Sequence, residues 1–480
     1  LLSSRLKVLP IKCDGYLNTD PGSMNPTEHG EVYVLDDGGE VDMDFGHYER
    51  FLGVQAKSKW SLTMGKIFQE ILERESRREY AGRTIQFVPH VVDLIRSKFS
   101  EIADEEGAEV VLIEVGGTVG DLENQFYLEA VRQLVHEVGR SNVMYVHLTY
   151  VPIPNGVGEQ KSKPSQMSVR DLNEKGIYPD LVIGRCNEFL SDSIKRKIAS
   201  FANLSPSRVI SGVDVSNVYE IPLIYAKEGV PEIANEVLRL YAPPQMGEWE
   251  RLVESINRNL KTPRKVLEIA ICGEHLALED SYASVVESFL HAAAHCDLKI
   301  DIRWVDTEKI DQTTDLSELF SGIDGVVLPS DYATKGIDGK IAIVQYVREK
   351  KIPFLGICHG MQMAVVEFAR NVCGLQEANS AEMREIGAEV SIPVVEEVRE
   401  ACRIKDGVPM RLGGHDLLLK SGSLLEQVYS NSQVRERFRH RYEVNPEYVK
   451  VLEDKGLIFS GRLVEIDLKG AIELEDHPFF

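Results

Sequence analysis

Val110-Val111-Leu112-Ile113-Glu114-Val115-Gly116-Gly117-Thr118-Val119-Gly120 is an apolar run that breaks into glycines. Its first six residues are too few for a helix and rich in β-branched side chains, so they read as a buried parallel strand. The glycines make a turn, and residues 123–138 then repeat apolar side chains at helical spacing. Strand, glycine turn and helix form the repeating unit of an open α/β sheet, where ligands gather at the carboxyl ends of the strands. Glu114 stands at such an end. A carboxylate there, followed by glycines that admit a ligand to the backbone, suits a metal or a phosphate. The plainer alternative is a loop acid that caps the turn.

Outward from this unit, residues 8–12, 143–149 and 181–185 read as further buried strands, with helix-length stretches between most of them. The alternation predicts a doubly wound α/β sheet. A polar stretch at 255–264 interrupts it, with Asn257, Arg258, Asn259, Lys261, Thr262 and Pro263, and reads as an interdomain linker. Strand candidates resume at 266–272, 299–305, Gly325–Leu328 and 354–357. The expected division is a first α/β domain over 1–254, a linker over 255–264 and a second α/β domain over 265–480.

The length of 480 residues agrees with two or three domains. A chain 43% hydrophobic and 27% charged is globular, which excludes disordered and collagen-like classes. No apolar run approaches the ~20 residues a spanning helix needs, and no signal peptide is visible, so a cytoplasmic protein with no membrane partner is expected. Seven cysteines lie scattered with no Cys-x-x-Cys pair, which argues for reduced thiols rather than a disulfide framework or zinc ribbon. Lys and Arg number 54 against 76 Asp and Glu, a net charge of −22. That balance argues against nucleic acid as a partner, while a nucleotide needs only a local basic pocket. The chain opens without Met and stops at His477-Pro478-Phe479-Phe480, so both ends read as cut.

Three other stretches carry chemistry. Residues 12–50 crowd acids, glycines and prolines with His29, His47, Tyr48 and Arg50, a poor core and a fair carboxylate source for Mg²⁺; a solvated acidic loop is the alternative. Gly158-Glu159-Gln160-Lys161-Ser162-Lys163-Pro164-Ser165-Gln166 puts two lysines and two hydroxyls in one turn, able to hold phosphate by charge and by donors. Two lysines alone would be an ordinary surface loop. Gly356-Ile357-Cys358-His359-Gly360 sits between a buried strand and a helical run over 363–372. A cysteine at such a strand-to-helix elbow is exposed, and the helix N-terminus lowers its pKa; a buried structural cysteine is the alternative. The other six cysteines read as structural. No Gly-x-x-x-x-Gly-Lys-Ser/Thr motif occurs.

These residues together resemble the CTP synthase family. The resemblance covers nearly the whole chain. It rests on Asp14-Gly-Tyr-Leu-Asn-Thr-Asp-Pro-Gly-Ser-Met-Asn-Pro, His29-Gly-Glu-Val, Asp42-Met-Asp-Phe-Gly-His-Tyr-Glu-Arg-Phe, Glu114-Val-Gly-Gly-Thr-Val-Gly-Asp, His147-Leu-Thr-Tyr-Val-Pro, Lys161-Ser-Lys-Pro-Ser-Gln, Gly356-Ile-Cys-His-Gly-Met-Gln and Arg439-His-Arg-Tyr-Glu-Val-Asn. It implies a P-loop-type doubly wound synthetase domain and a class I glutamine amidotransferase α/β domain. The implied reaction uses ATP and Mg²⁺ to phosphorylate the 4-oxygen of UTP, and ammonia from glutamine then displaces the phosphate to give CTP. By the same resemblance, Asp44 and Glu114 hold Mg²⁺, and Lys12, Asp214 and Val215 contact ATP. Asp121, Glu123, Lys161, Ser162, Lys163, Pro164, Ser165, Gln166 and Lys197 form the pyrimidine nucleotide site, where UTP binds and CTP inhibits. His29 lines the ammonia passage. Cys358 is the nucleophile, with Gln362, Glu382 and Arg441 around glutamine. A homotetramer and filaments are implied as well; activation by GTP is a family property, expected to be weak or absent here because it acts on glutamine hydrolysis.

The chain departs from the family pattern in four places. The family's P-loop precedes the strand that holds Lys12, and its His-Pro-Glu motif follows a segment like His477-Pro478-Phe479-Phe480; neither is in this sequence. The family's Pro-Gly-Gly-Phe-Gly oxyanion loop reads Pro329-Ser330-Asp331-Tyr332-Ala333, and His359 replaces an apolar residue. Three readings stay open at this point. They are an ordinary synthase, a synthetase that uses only free ammonia, and a non-catalytic paralogue that binds nucleotides or joins assemblies.

Overall fold

The computed structural model describes residues 5–480 except 157, 242, 275, 277, 331–335, 399–402, 406, 407 and 467, with backbone alone at 403–405 and 408. Two compact units emerge. The first holds the residues up to Asp20, Tyr48–Val54 and Lys59–Asn257; the second holds Pro21–His47, Gln55–Ser58 and Arg258–Phe480.

In the first unit, Val8–Asp14 is buried along its whole length and lies between Ser61–Thr63 and Val110–Val115, all parallel. A second parallel sheet runs Val146–Tyr150, Leu181–Cys186, Val209–Val213. Its middle strand opens on the apolar run Leu-Val-Ile-Gly, buried throughout as a central parallel strand should be, and only Arg185 near its end is exposed. The expected α/β sheet is thus present as two three-stranded pieces. Val110–Val115 and Val146–Tyr150 are outer strands, and Leu112, Val146, Leu148 and Tyr150 on them are exposed.

The strand expected at 143–149 begins only at Val146. Before it the Tyr145 amide donates to Asp180 and its carbonyl accepts the Asp180 and Leu181 amides, so the backbone is engaged outside the ladder. The helix expected over 123–138 starts at Gln125, after a tight turn at Leu122–Asn124. The polar stretch 255–264 is helical as far as Lys261, within Gly247–Lys261. Val253 and Ile256 are buried on that helix, and the Asn259 amide donates to the Ala293 carbonyl at 3.0 Å. Asn257, Arg258, Asn259 and Lys261 are therefore helix residues, Thr262 and Pro263 lie beyond the helix, and the change of unit falls between Asn257 and Arg258.

The second unit centres on a parallel sheet ordered Lys299–Asp306, Val266–Gly273, Gly325–Leu328, Phe354–Gly356. The helices Ile337–Lys350 and His359–Asn371 pack into its core, the latter buried over most of its residues. An antiparallel sheet was not foreseen. In it Val408–Leu419 pairs with Gln433–His440 on one side and Leu457–Leu463 on the other. Among the described residues no helix is long and apolar enough to cross a membrane.

Candidate active sites of the two units

In the first unit the strand register sets Lys12 opposite Glu114. Lys12 is buried, and its Nζ lies 3.4 Å from Glu114 Oε1 and 3.7 Å from Asp14 Oδ1. The Tyr48 hydroxyl donates to the other Glu114 oxygen. Glu114 keeps 47% of its side chain exposed, so at the strand end a carboxylate meets solvent over a buried lysine. The turn after it is tightly built. Gly117 has φ +72°, and a Cβ there would sit 2.4 Å from Asn124 Nδ2. Asp121 accepts from the Thr118 amide at 2.7 Å and hydroxyl at 2.8 Å, and these bonds hold its carboxyl below the usual range. Asp121 therefore shapes the loop whatever else it binds. Glu123 is exposed beside it.

Lys163 and Pro164 are exposed in the first turn of Lys163–Glu174, a helix start that favours anions. Ser165 is buried and donates to the Tyr150 carbonyl at 2.9 Å, while Gln166 donates to the Ser162 hydroxyl at 3.0 Å. These polar residues anchor the turn and leave the lysines outward. Lys161 pairs with Glu159, whose carboxyl it holds low, with a smaller effect from Lys197. Lys163 and Lys197 are exposed, and Lys161 is half-buried. At the ends of the second sheet a cleft of about 290 Å³ is lined by Leu148, Thr149, Tyr150, Arg185, Cys186 and Asp214. Asp214 pairs with Arg185 at 2.8 Å; Val215 follows it and is not among the lining residues.

In the second unit Cys358 occupies the turn between Phe354–Gly356 and His359–Asn371, at φ +55° and ψ −106°. L-residues other than glycine rarely adopt a positive φ, and such strain marks nucleophile elbows. The flanking glycines are needed for space: a Cβ on Gly360 would lie 2.0 Å from the Leu328 carbonyl oxygen. The Cys358 thiol donates to the Arg439 carbonyl at 3.4 Å, and Gln362 donates to the Tyr442 carbonyl at 2.9 Å.

The surroundings are buried and charged. Lys340 is fully buried and 2.5 Å from Glu274. His359 is buried, with neither ring nitrogen hydrogen-bonded, and its Nε2 lies 3.7 Å from Glu382. Burial, then Lys340, pushes His359 down to about 3; burial, then Glu385, pushes Glu382 up to about 7. The ring of His359 is thus turned toward Glu382 and makes no hydrogen bond to Cys358. Arg441 Nε is likewise buried without a partner. The last residues run beside the strand that leads to Cys358, where Phe354 N donates to the Phe479 carbonyl at 2.8 Å. Of the altered oxyanion loop, Ser330 is exposed, and 331–335 lie outside the described residues.

His29 is exposed at the end of Pro26–His29, and Asp44 opens Asp44–Leu52 with its amide on Asp42 at 2.9 Å. Both residues belong to the second unit, and Glu114 to the first. Among the described residues no three metal-ligating side chains cluster. Residue-level reading missed the Lys340–Glu274 pair, Arg435 and Arg437, and the contacts of Arg439. The arginines were open to discovery, because alternate residues of a strand share a face.

A cysteine elbow at the end of a parallel strand in one unit, and a lysine–carboxylate pair at strand ends in the other, describe a glutamine amidotransferase joined to a nucleotide-using α/β domain. The comparisons agree: residues 277–480 match class-I glutamine amidotransferases, and residues 1–240 match the CTP synthase N-terminus. The CTP synthase of Borreliella afzelii (strain PKo) is 49% identical over 475 residues, 99% of this chain and 88% of that protein. That of Archaeoglobus fulgidus is 43% identical over 480 residues, 99% of this chain and 87% of that protein. A solved glutaminase domain of Trypanosoma brucei CTPS with bound acivicin is 34% identical, with a TM-score of 0.41, covering 45% of this chain and 83% of that one. The chain belongs to the CTP synthase family.

Proposed function

We propose that the protein aminates UTP to CTP, the final step of de novo CTP synthesis, using ATP and nitrogen from glutamine or ammonia. The observation that carries this is the pairing, in one chain of this family, of the Cys358 elbow with the Lys12–Glu114 strand-end site. A carbonyl oxygen is a poor leaving group. Phosphorylating the 4-oxygen of UTP makes it a good one, and ammonia then displaces phosphate. Lys12 neutralises charge on the transferred phosphoryl group. Lys161, Lys163 and Lys197 face the UTP phosphates, with Asp121, Glu123, Ser162, Pro164, Ser165 and Gln166 shaping the pyrimidine nucleotide site that CTP also enters. Asp214 and Val215 lie at the ATP base. Glu114 is a hard oxygen donor, half-exposed beside a lysine, and fits Mg²⁺, which takes one or two carboxylates and completes its shell with phosphate oxygens and water. Mg²⁺, when bound, would supply charge neutralisation; Asp44 is assigned to it by resemblance.

In the second unit Cys358 attacks the glutamine amide carbon, forming a thioester and releasing ammonia, and water then frees glutamate. Gln362, Glu382 and Arg441 hold the glutamine, and the unpartnered Arg441 Nε supports a polar ligand there. His29 stands on the ammonia passage. GTP, the family's activator of glutamine hydrolysis, acts weakly or not at all here, and the assembly is a homotetramer able to form filaments.

The test is CTP formation by the full-length encoded protein from UTP, ATP and Mg²⁺, with glutamine and with ammonium in parallel. Product from both nitrogen sources is expected. Product from ammonium alone would mean that the 329–333 loop or His359 has disabled the amidotransferase. No product from either would leave a nucleotide-binding paralogue.

A further inference from the structure

Arg435, Arg437 and Arg439 alternate along Gln433–His440, so they project from one face. Each meets the segment between Pro21 and Val41, which belongs to the same unit. Arg435 grips both oxygens of Asp36, Nε to Oδ1 and Nη2 to Oδ2, each at 3.0 Å. Arg437 donates to the Tyr33 hydroxyl and the Val34 carbonyl, both at 3.2 Å, with its guanidinium 5.7 Å from the Tyr33 ring centroid. Arg439 donates to Glu40 at 2.6 Å and to the Gly22 carbonyl at 2.9 Å. Glu40 is buried. The neighbouring strand joins the grip: the Gly414 amide donates to the Asp36 carbonyl at 2.8 Å. At Gly413, φ +91°, a Cβ would meet the Gly38 amide at 2.7 Å, so the two backbones touch where only glycine fits.

The carbonyl of Arg439 also accepts the Cys358 thiol. One residue therefore touches the nucleophile with its backbone and the 21–41 segment with its side chain. That segment contains His29 and leads directly into Asp44. A bidentate arginine and an ion pair with a buried carboxylate fix geometry as well as contact.

We propose that Arg435, Arg437 and Arg439 are positioning residues that keep glutamine hydrolysis productive, by clasping the segment that bears His29 to the strand against which Cys358 rests. This rests on the function proposed above. Ammonia that is not received at once takes a proton and is lost as a nucleophile. Loosening the clasp should therefore leave the thiol chemistry running and waste its product.

The experiment uses the full-length encoded protein and reads CTP formed per glutamate released. Glu40→Ala should lower that ratio by about ten-fold, the scale on which small misplacements act. Glu40→Gln, which keeps a hydrogen bond to Arg439, should recover most of it, and Arg435→Ala should lower it less. Glutamate release and ammonium-driven CTP formation should stay unchanged. Hydrogen exchange over 22–41 should quicken in the two alanine variants. A ratio unchanged in Glu40→Ala, with the unaltered protein active, overturns the coupling role alone. A parallel fall in glutamate release and in ammonium-driven synthesis overturns it too, because that marks a merely structural contact. No CTP from the unaltered protein with either nitrogen source overturns the function reading and the coupling role together.

Discussion

The two sites of this chain differ in how far they expose charge. In the first unit Lys12 is buried, but its partner Glu114 is half-exposed, and Lys163, Lys197 and Asp214 stand in solvent. In the second, Lys340 is fully buried against Glu274, and His359, Gln362 and Glu382 lie in or near the core. The first arrangement suits a substrate that brings several negative charges and completes the site electrostatically. The second suits a neutral amide, for which the protein must balance its own charges beforehand, since an unpaired buried charge is costly. One site is finished by its ligand, and the other is nearly finished without one.

Four experiments would break or sharpen this contrast. The largest effect belongs to Cys358→Ser in the full-length encoded protein. Glutamate release should fall by about 10⁴-fold or more, as for removal of other catalytic nucleophiles, while CTP formation from ammonium persists. Loss of both activities would mean that the two units are not separable.

Next is Lys340→Met. It takes a buried cation from Glu274 and should lower stability by about 3–5 kcal/mol, read as a shift of the urea midpoint. Adding Glu274→Leu should restore most of the loss. A surface lysine such as Lys163, changed the same way, should leave stability within ~0.5 kcal/mol.

The third is a pH series. Glu382, raised from an ordinary 4.5 to about 7, gives stability that is full below 4.5 and is lost as pH rises through about 7. His359, lowered from an ordinary 6.5 to about 3, gives stability that is full above 6.5 and is lost as pH falls through about 3. Between pH 4.5 and 6.5 the two slopes oppose each other. Glu382→Gln should uncover stability that rises with pH in that window by about 1 kcal/mol per unit, and His359→Leu the reverse, measured by urea unfolding at several pH values. A flat profile in both variants would mean that neither group is held away from its ordinary pKa.

The smallest effect is expected from Gly117→Ala, which forces an alanine to a left-handed φ against Asn124. A cost of about 1–2 kcal/mol is expected in thermal unfolding, with weaker nucleotide binding if the turn shapes that site.

Much of the fold was legible. The buried strands announce themselves as short apolar runs, and the glycine elbow around Cys358 marks its own geometry. What stayed hidden depended on distant partners. The polar 255–264 stretch reads as linker because Asn257 and Asn259 are poor helix formers; the side-chain bonds that hold them appear only once residues 217 and 293 come near. The 21–47 segment precedes much of the first unit in sequence, yet it is held by arginines nearly 400 positions away, and local periodicity carries no trace of that. The Lys340–Glu274 pair was equally invisible, since an isolated Lys and Glu read as surface residues until a fold buries them.

The outer strands of the first unit have a practical consequence. Val110–Val115 and Val146–Tyr150 each carry apolar side chains into solvent beside backbone groups on the rim of a sheet. Such rims are templates for any extended chain that meets them. A preparation of this 480-residue stretch should therefore turn cloudy with concentration, and an extended apolar peptide that zips onto either rim should keep it clear.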